Sequence, residues 1–207
     1  MPLREEVSDT AVALILAALF TGIAVAVATG RTKNVDRKLR QAQSHPRRGV
    51  PRRVARVVKR IAAPKVQLPF AAVVTILLRR ARVHGANNPL TAAAISFFVE
   101  RACKRFVRRR RPPPYHGNEL YESFPSGHTA ATAALTLTFG RLLERDGIIR
   151  PPVATAAALI LTAFVGETRL VLDEHWPTDV LAGALLGSFA ASIASNPDSR
   201  VRVLTII

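Results

Sequence analysis

The sequence is poor in three kinds of residue, and each shortage excludes a class of protein. Cys103 is the single cysteine among 207 residues, so no intramolecular disulfide and no cysteine-based metal site can form. Aromatic residues make up 6% of the chain, and few lie among the basic residues to stack on nucleic-acid bases. Acidic residues number 14 against 30 Lys and Arg, giving a formal net charge of +16. Such a chain suits an anionic membrane surface better than nucleic acid.

The basic residues cluster between long uncharged segments, and this distribution favours a membrane protein. A spanning helix needs about 20 mostly apolar residues. Six segments approach this pattern: 10–29, 66–78 extended backward through 54–63, 89–106, 129–143, 153–166 and 180–194. A soluble helical bundle is the alternative, but residues 156–165 offer water no polar face. We predict an all-α, polytopic membrane helical bundle of about six transmembrane helices.

Residues 31–60 differ from the rest of the chain, with twelve Lys and Arg and one acid, Asp36. In the second half, apolar and basic residues alternate with helical spacing, which predicts an amphipathic helix lying on anionic lipid. The predicted organisation is therefore an N-terminal transmembrane helix (1–30), a basic interfacial segment (31–65), a helical core (66–197) and a C-terminal tail (198–207). Within the core, Gly183 and Gly187 have the spacing that allows close approach of membrane helices.

The first of three polar clusters runs from Lys104 to Arg111 and is followed by Pro112. Lys104 and Arg111 are seven residues apart, so on a helix ended by Pro112 to Pro114 they would share one side. Two fixed cations at a helix end suit a phosphate group, with Arg as a two-pronged donor and Lys as a point charge. The alternative is a basic anchor that flanks a membrane helix.

The second cluster, from Phe124 to His128, opens the apolar segment 129–143. Ser126 suits a helix cap, and Gly127 allows a ligand close to the backbone. Free amides and the helix dipole at such a start form an anion site. His128 can exchange a proton near neutral pH, although a lone histidine at a membrane boundary is often structural.

The third cluster, from Thr168 to Asp179, precedes the last apolar segment. Arg169 adds a cation, and Pro177 suits the first turn of a helix. His175 precedes Asp179 by four residues, so the carboxylate can hold one imidazole nitrogen and leave the other free to attack. A hydrogen bond at a helix start is the plainer alternative. Asp173 and Glu174 are predicted to be solvated partners of nearby cations.

In this order and at these spacings, the clusters resemble the three signature motifs of the type 2 phosphatidic acid phosphatase (PAP2) superfamily. These motifs are Lys-x6-Arg-Pro, Pro-Ser-Gly-His and Ser-Arg-x5-His-x3-Asp. The first two match fully, and the third has Thr168 in place of Ser while retaining the hydroxyl. The basic segment 31–60 matches no motif of the family.

The resemblance implies a membrane lipid phosphatase that needs no cofactor and no metal. It implies that His175 is the nucleophile and forms a phosphohistidine, that His128 protonates the leaving group, and that Asp179 orients His175. The residues implied to bind phosphate are Lys104, Arg111, Ser126, Gly127 and Arg169. The implied substrate is a lipid phosphomonoester or diphosphate: phosphatidic acid, phosphatidylglycerol phosphate, or a polyprenyl phosphate that can carry a sugar.

Other functions compete with this interpretation. The soluble relatives, acid phosphatases and vanadium haloperoxidases, are disfavoured by the apolar segments. A non-catalytic anionic-lipid-binding protein needs the cations but not the two histidines. A lipid-phosphate transporter is expected to have broken helices or charges at mid-membrane, which the pattern lacks. The motifs carry no information on oligomeric state.

Six helices place the basic segment and the three motifs on the same face of a cell membrane. Most Lys and Arg lie on that face, so the positive-inside rule predicts a cytoplasmic active site. Many bacterial members of the family act on the outer face, and there the analogy and the charge distribution disagree.

Overall fold

The computed structural model describes residues 3–43, 50–115 and 117–195. The described chain is helical and has no strand. Its helices are α1 (Leu3–Ala28), α2 (Lys33–Gln43), α3 (Arg52–Ile61), α4 (Pro64–Arg80), α5 (Asn88–Val107), α6 (Gly127–Arg145), α7 (Pro151–Val171) and α8 (Pro177–Ser195). The predicted tail, 198–207, lies outside the described residues.

The predicted helical membrane bundle is confirmed, and its six long helices are α1 and α4 to α8. Three described helices are long and apolar enough to cross a bilayer by length and composition: Asp9–Ala28, Pro151–Val171 and Pro177–Ser195. The pair α3 and α4 passes the same criteria together, but the two helices are bent by 47° at their junction. The number of six spans is therefore approximate, because α5 and α6 are less apolar.

Small side chains bring α6 and α8 close together at the centre of the bundle. A Cβ atom on Gly187 would collide with the carbonyl oxygen of Ala130 and lie 2.6 Å from the Cβ of Ala133. A Cβ atom on Gly183 would lie 2.5 Å from the carbonyl oxygen of Ser126. The close approach predicted from the glycine spacing is therefore confirmed, and it brings the starts of the two helices together.

The basic segment forms two short helices, α2 and α3, which lie at the same end of the bundle as the three motifs. In α3 the small residue Ala55 is fully buried, whereas Val54, Val57 and Ile61 are exposed. The amphipathic helix predicted for residues 54–63 is therefore present, slightly earlier in the chain. Cys103 is half-buried and packs beside Phe124.

Candidate active site

The three motifs meet because the helices that carry them alternate in direction. α5 and α7 end at this end of the bundle, and α6 and α8 begin there. A cavity of about 440 Å³ opens between them. Five of the eight predicted site residues line it: Lys104, Arg111, Gly127, His128 and His175. The other three are fully buried directly behind its wall: Ser126, Arg169 and Asp179.

His175 lies in the turn between α7 and α8 and is 3% exposed. Its Nδ1 atom lies 2.7 Å from the carbonyl oxygen of Ser123. A carbonyl oxygen only accepts hydrogen bonds, so Nδ1 carries the proton and the lone pair lies on Nε2, where it accepts a hydrogen bond from Arg111. Nε2 lies 3.3 Å from Nη1 of Arg111. Burial, and then the charges of Arg111, Arg169 and Lys104, hold the pKa of His175 well below its usual value, so the imidazole is neutral at pH 7.

Asp179 is fully buried in the first turn of α8 and does not contact the His175 ring directly. Its Oδ2 atom is 3.7 Å from Nδ1 of His175. Oδ2 instead accepts hydrogen bonds from Oγ of Ser123 at 2.5 Å and from the amide of Trp176 at 2.8 Å. Oδ1 accepts from Arg109 at 2.5 Å. Ser123, which the motifs do not include, therefore links the carboxylate to the imidazole.

His128 is the second residue of α6 and is held by the basic segment. Its Nε2 atom lies 3.0 Å from the carbonyl oxygen of Lys59. Lys59 belongs to the last turn of α3, where carbonyl groups have no partner within the helix. Helix α3 therefore orients the second histidine through a carbonyl group of its C-terminal turn.

Lys104 and Arg111 both line the cavity, but the geometry expected from their spacing is wrong. α5 ends at Val107, and Arg108 adopts a left-handed conformation with φ of 46°. The helix therefore stops before Pro112, and Arg111 lies in the following loop. Lys104 reaches the site from the helix and Arg111 from the loop, rather than both from one helical face.

Both cations have carboxylate partners. Nζ of Lys104 lies 2.5 Å from Oε1 of Glu100, one turn earlier in α5. Nη2 of Arg111 lies 3.2 Å from the exposed carboxylate of Glu119. Nη1 of Arg111 also donates a 2.6 Å hydrogen bond to the carbonyl oxygen of Glu174, which fixes the guanidinium beside His175.

Arg169 is fully buried in the last turn of α7. Its Nη2 atom forms an ion pair with Glu174. Nε and Nη1 have no hydrogen-bond partner among the described residues, which leaves two donors of a buried guanidinium for an anion. The hydroxyl of Thr168 donates to the carbonyl oxygen of Val165 at 2.6 Å, so this position, usually Ser in the family, is used within the helix.

Ser126 and Gly127 stand at the start of α6, as predicted, but act differently from the expectation. The Ser126 side chain makes no capping hydrogen bond, and its Oγ atom lies 2.9 Å from Oγ1 of Thr129. The space beside Gly127 faces a carboxylate: a Cβ atom there would lie 2.6 Å from Oε1 of Glu100. A larger residue at position 127 would therefore displace Glu100.

Asp173 and Glu174 pair with nearby cations, as predicted, but the solvated state predicted for them is wrong for Glu174. Glu174 is 9% exposed, and its Oε1 atom lies 2.5 Å from Nζ of Lys59. Asp173 pairs with Arg40 at 3.1 Å and with Arg52 at 3.2 Å. These two acids therefore bind the basic segment, which has an excess of cations, to the third motif.

Asp36 is the functional neighbour that sequence reasoning missed. It is 1% exposed in α2 and forms an ion pair with Arg109, which in turn holds Asp179. It also accepts hydrogen bonds from the amide of Thr178 at 3.0 Å and from its hydroxyl at 2.9 Å, at the start of α8. The signal in the sequence was that Asp36 is a lone acid in a run of cations.

The helical bundle with its buried histidine and cations defines a class of membrane protein that comparison with known proteins identifies. The sequence model of the PAP2 superfamily matches residues 85–197. This range is more than half of the chain and contains all three motifs. The protein therefore belongs to the PAP2 superfamily.

Curated relatives carry the names of lipid phosphatases. Lipid A 1-phosphatase of Rhizobium etli is 28% identical over 125 residues, which cover 55% of this chain and 50% of the relative. Decaprenylphosphoryl-5-phosphoribose phosphatase of Mycobacterium tuberculosis is 33% identical over 125 residues, which cover 57% of this chain and 62% of the relative. The chain thus spans about half the length of the first curated relatives it matches.

Solved structures share the fold. The PAP2-type phosphatidylglycerolphosphate phosphatase of Bacillus subtilis superposes with a TM-score of 0.77 and 21% identity, covering 91% of this chain and 96% of that one. LpxE of Aquifex aeolicus gives a TM-score of 0.57 at 21% identity, covering 76% and 92%. Both similarities concern the architecture, including the membrane helices.

Proposed function

We propose that this protein is a phosphatase that hydrolyses the phosphate or diphosphate of a membrane lipid through a phosphohistidine on His175. The observation that carries the proposal is the state of that imidazole. Nδ1 donates to Ser123, so the lone pair is on Nε2, which accepts a hydrogen bond from Arg111 at the cavity wall. A neutral imidazole with a fixed tautomer and a neighbouring guanidinium is equipped to attack phosphorus.

The reaction proceeds in two displacements. The negative charge of the bound phosphate favours the protonated form of His128, in which Nε2–H stays on the Lys59 carbonyl and Nδ1 carries the second proton. Nε2 of His175 attacks phosphorus, the bond between phosphorus and the lipid oxygen breaks, and Nδ1 of His128 gives the departing oxygen its proton. His128 then removes a proton from water as the water attacks the phosphohistidine, which releases orthophosphate and restores His175. Both steps are general acid–base catalysis, worth about 10²–10⁴-fold in rate.

The cations hold the phosphate oxygens while their charge redistributes. Arg169 offers Nε and Nη1 from behind the cavity wall, and Lys104 and Arg111 approach from α5 and its following loop. Ser126 and the amide of Gly127 complete the set at the start of α6. Asp179 stabilises the His175 cation that forms during transfer, by its charge at 3.7 Å and through Ser123.

The chain supplies every group used in these steps, and we propose that neither a metal nor a cofactor takes part. Among the described residues, no three His, Cys, Asp or Glu side chains form a possible metal site. Phosphate release in excess chelator is expected to equal release without it.

The substrate class rests on the relatives and on the basic surface. The relatives are named for lipid A, a decaprenyl phosphoribose and other lipid phosphates, and all of these present a terminal phosphate on a membrane lipid. The helices α2 and α3 add exposed cations next to the cavity, which suits a cell membrane rich in anionic lipid. By the positive-inside rule this face is cytoplasmic.

Phosphate release from a panel of lipid phosphates by detergent-purified protein tests the proposal. We expect release by the wild type, none by His175→Ala, a steep loss for His128→Ala, and a steep loss with an intact fold for Asp179→Asn. His84→Ala is the matched control, because His84 is exposed in the connection between α4 and α5. Release at the wild-type rate by His175→Ala contradicts the mechanism, and binding without release by the wild type supports a non-catalytic lipid-binding protein.

A further inference from the structure

Two buried glutamates contact the cations that the mechanism assigns to phosphate. Glu100 is 2% exposed and binds Lys104 of the first motif. Glu174 is 9% exposed and binds Arg169 of the third motif. Neither glutamate is used by the proposed reaction. Glu100 lies in α5 and Glu174 lies in the turn between α7 and α8, and both side chains line the cavity.

The carboxylate of Glu100 occupies a place that suits an anionic ligand. Its Oε1 atom lies where a Cβ atom of Gly127 would approach to 2.6 Å, at the start of α6. The amides and dipole at a helix start attract anions, and phosphate groups use this feature in many proteins. The carboxylate and a phosphate group would therefore draw on the same positive potential, from Lys104 and from the helix start.

Glu174 differs from Glu100 because its second cationic partner is close and comes from another helix, whereas the second partner of Glu100 is Arg101 of the same helix at 3.9 Å. Oε2 pairs with Arg169 and Oε1 lies 2.5 Å from Nζ of Lys59, which belongs to the basic helix α3. If phosphate takes Arg169, Glu174 can keep Lys59 and does not become a buried, unpaired charge. An unpaired buried carboxylate would be costly, so this second partner lowers the cost of giving up the first.

We propose that Glu100 and Glu174 set the phosphate affinity of the site by competing with the phosphate group for Lys104 and Arg169, so that product orthophosphate binds weakly and leaves quickly. This inference rests on the proposed phosphate site. It also assigns a role to Lys59: it receives Glu174 when phosphate binds. Product release often limits turnover in enzymes, and a strongly cationic buried site without these acids would retain a dianionic product.

Calorimetric titration of orthophosphate into detergent-purified full-length protein tests the inference. Glu174→Gln and Glu100→Gln are expected to lower the dissociation constant by about tenfold each, since one adjacent charge commonly changes an ionisation equilibrium by about one unit or more. Asp146→Asn is the control, because the Asp146 side chain is 43% exposed and pairs with Arg145 at the end of α6 opposite to the site. An unchanged or larger dissociation constant in folded Glu174→Gln and Glu100→Gln overturns the inference.

Lys59→Met provides a test of opposite sign at a position whose side chain is 46% exposed. Without Lys59, Glu174 is left with Arg169 alone, so orthophosphate should bind more weakly. In the double variant Lys59→Met/Glu174→Gln this weakening should disappear, because Lys59 acts through Glu174. Persistence of the weakening in the double variant, or tighter binding by Lys59→Met alone, contradicts the role assigned to Lys59.

The same proteins separate this inference from the proposed function. Phosphate release from lipid with no change in orthophosphate affinity among the variants would reject the competition and leave the phosphatase function standing. The expected shifts in affinity, in a protein that releases no phosphate from any lipid, would reject the phosphatase function and support the competition.

Discussion

The carbonyl oxygen of Ser123 lies 2.7 Å from Nδ1 of His175, closer than any carboxylate oxygen. A backbone carbonyl cannot be protonated or rotated away as a side chain can, so it fixes the imidazole tautomer over a wide range of pH. In a His–Asp pair, the carboxylate is usually expected to fix the imidazole tautomer. Here the peptide carbonyl holds Nδ1 while the Asp179 carboxylate lies 3.7 Å away, so the role we propose for Asp179 is to balance charge.

In a pH–rate profile, kcat/KM should fall on the acid side only below pH 6.5; this fall is the acid limb of the profile. In the proposed mechanism His175 must be neutral to attack, and burial together with Arg111, Arg169 and Lys104 keeps its pKa well below that value. Lys104→Met removes one of these cations, so the pKa of His175 rises and the limb moves to higher pH. Arg105→Met is the control, because Arg105 does not line the cavity. A pH–rate profile of both variants measures this, and a Lys104→Met limb at lower pH would contradict it.

Asp36→Asn should destabilise the protein by about 3–5 kcal/mol, since removing one partner of a buried ion pair leaves the other charge uncompensated. Asp36 is 1% exposed and holds Arg109 together with the start of α8. Thermal unfolding in detergent measures the change. Asp146→Asn is the control: its exposed pair with Arg145 is worth about 0–1 kcal/mol. Equal melting temperatures for the two variants would show that α2 is not held by Asp36.

Gly187→Ala should destabilise the bundle by about 1–3 kcal/mol, because overpacking forces neighbouring atoms to move. The added methyl group would collide with the carbonyl oxygen of Ala130, a backbone atom that cannot rotate away. Gly22→Ala, with nothing within 4 Å of the new atom, should instead gain about 1 kcal/mol from helix propensity. Unfolding in detergent compares the two, and a neutral Gly187→Ala would mean that α6 and α8 are separated more widely.

The side of the membrane on which the site lies can be read from the basic segment, because α2 and α3 contact the site directly. In a Cys103→Ser background, Lys38→Cys marks the site end, and Arg80→Cys marks the opposite end at the close of α4. A membrane-impermeant maleimide applied to intact cells should label Arg80→Cys and spare Lys38→Cys. The reverse pattern would place the active site on the outer face.

Where the information was local, the sequence predicted the helices well, and it predicted which residues meet at one cavity. Apolar length located the six long helices, and the motif spacings identified residues that line or adjoin one cavity. It failed where two segments far apart in the chain meet. Nothing in the pattern around Asp36 reveals that it binds Arg109, and the solvated state assigned to Glu174 ignored Lys59, 115 residues away. The end of α5 was misplaced because Arg108 adopts a left-handed conformation that its residue type does not announce.

The 47° bend between α3 and α4 has a consequence for where the functional unit begins. The family match starts at residue 85, yet the wall of the cavity includes Lys59 and Pro64, on either side of that bend. A shortened protein that starts at the family boundary would keep every motif and lose the partner of His128. An alignment confined to residues 85–197 compares the motifs but omits the segment around Lys59 and Pro64. Two sites that this segment encloses differently would therefore look identical in such an alignment. Differences between relatives in lipid preference are best sought in the residues that precede the shared region.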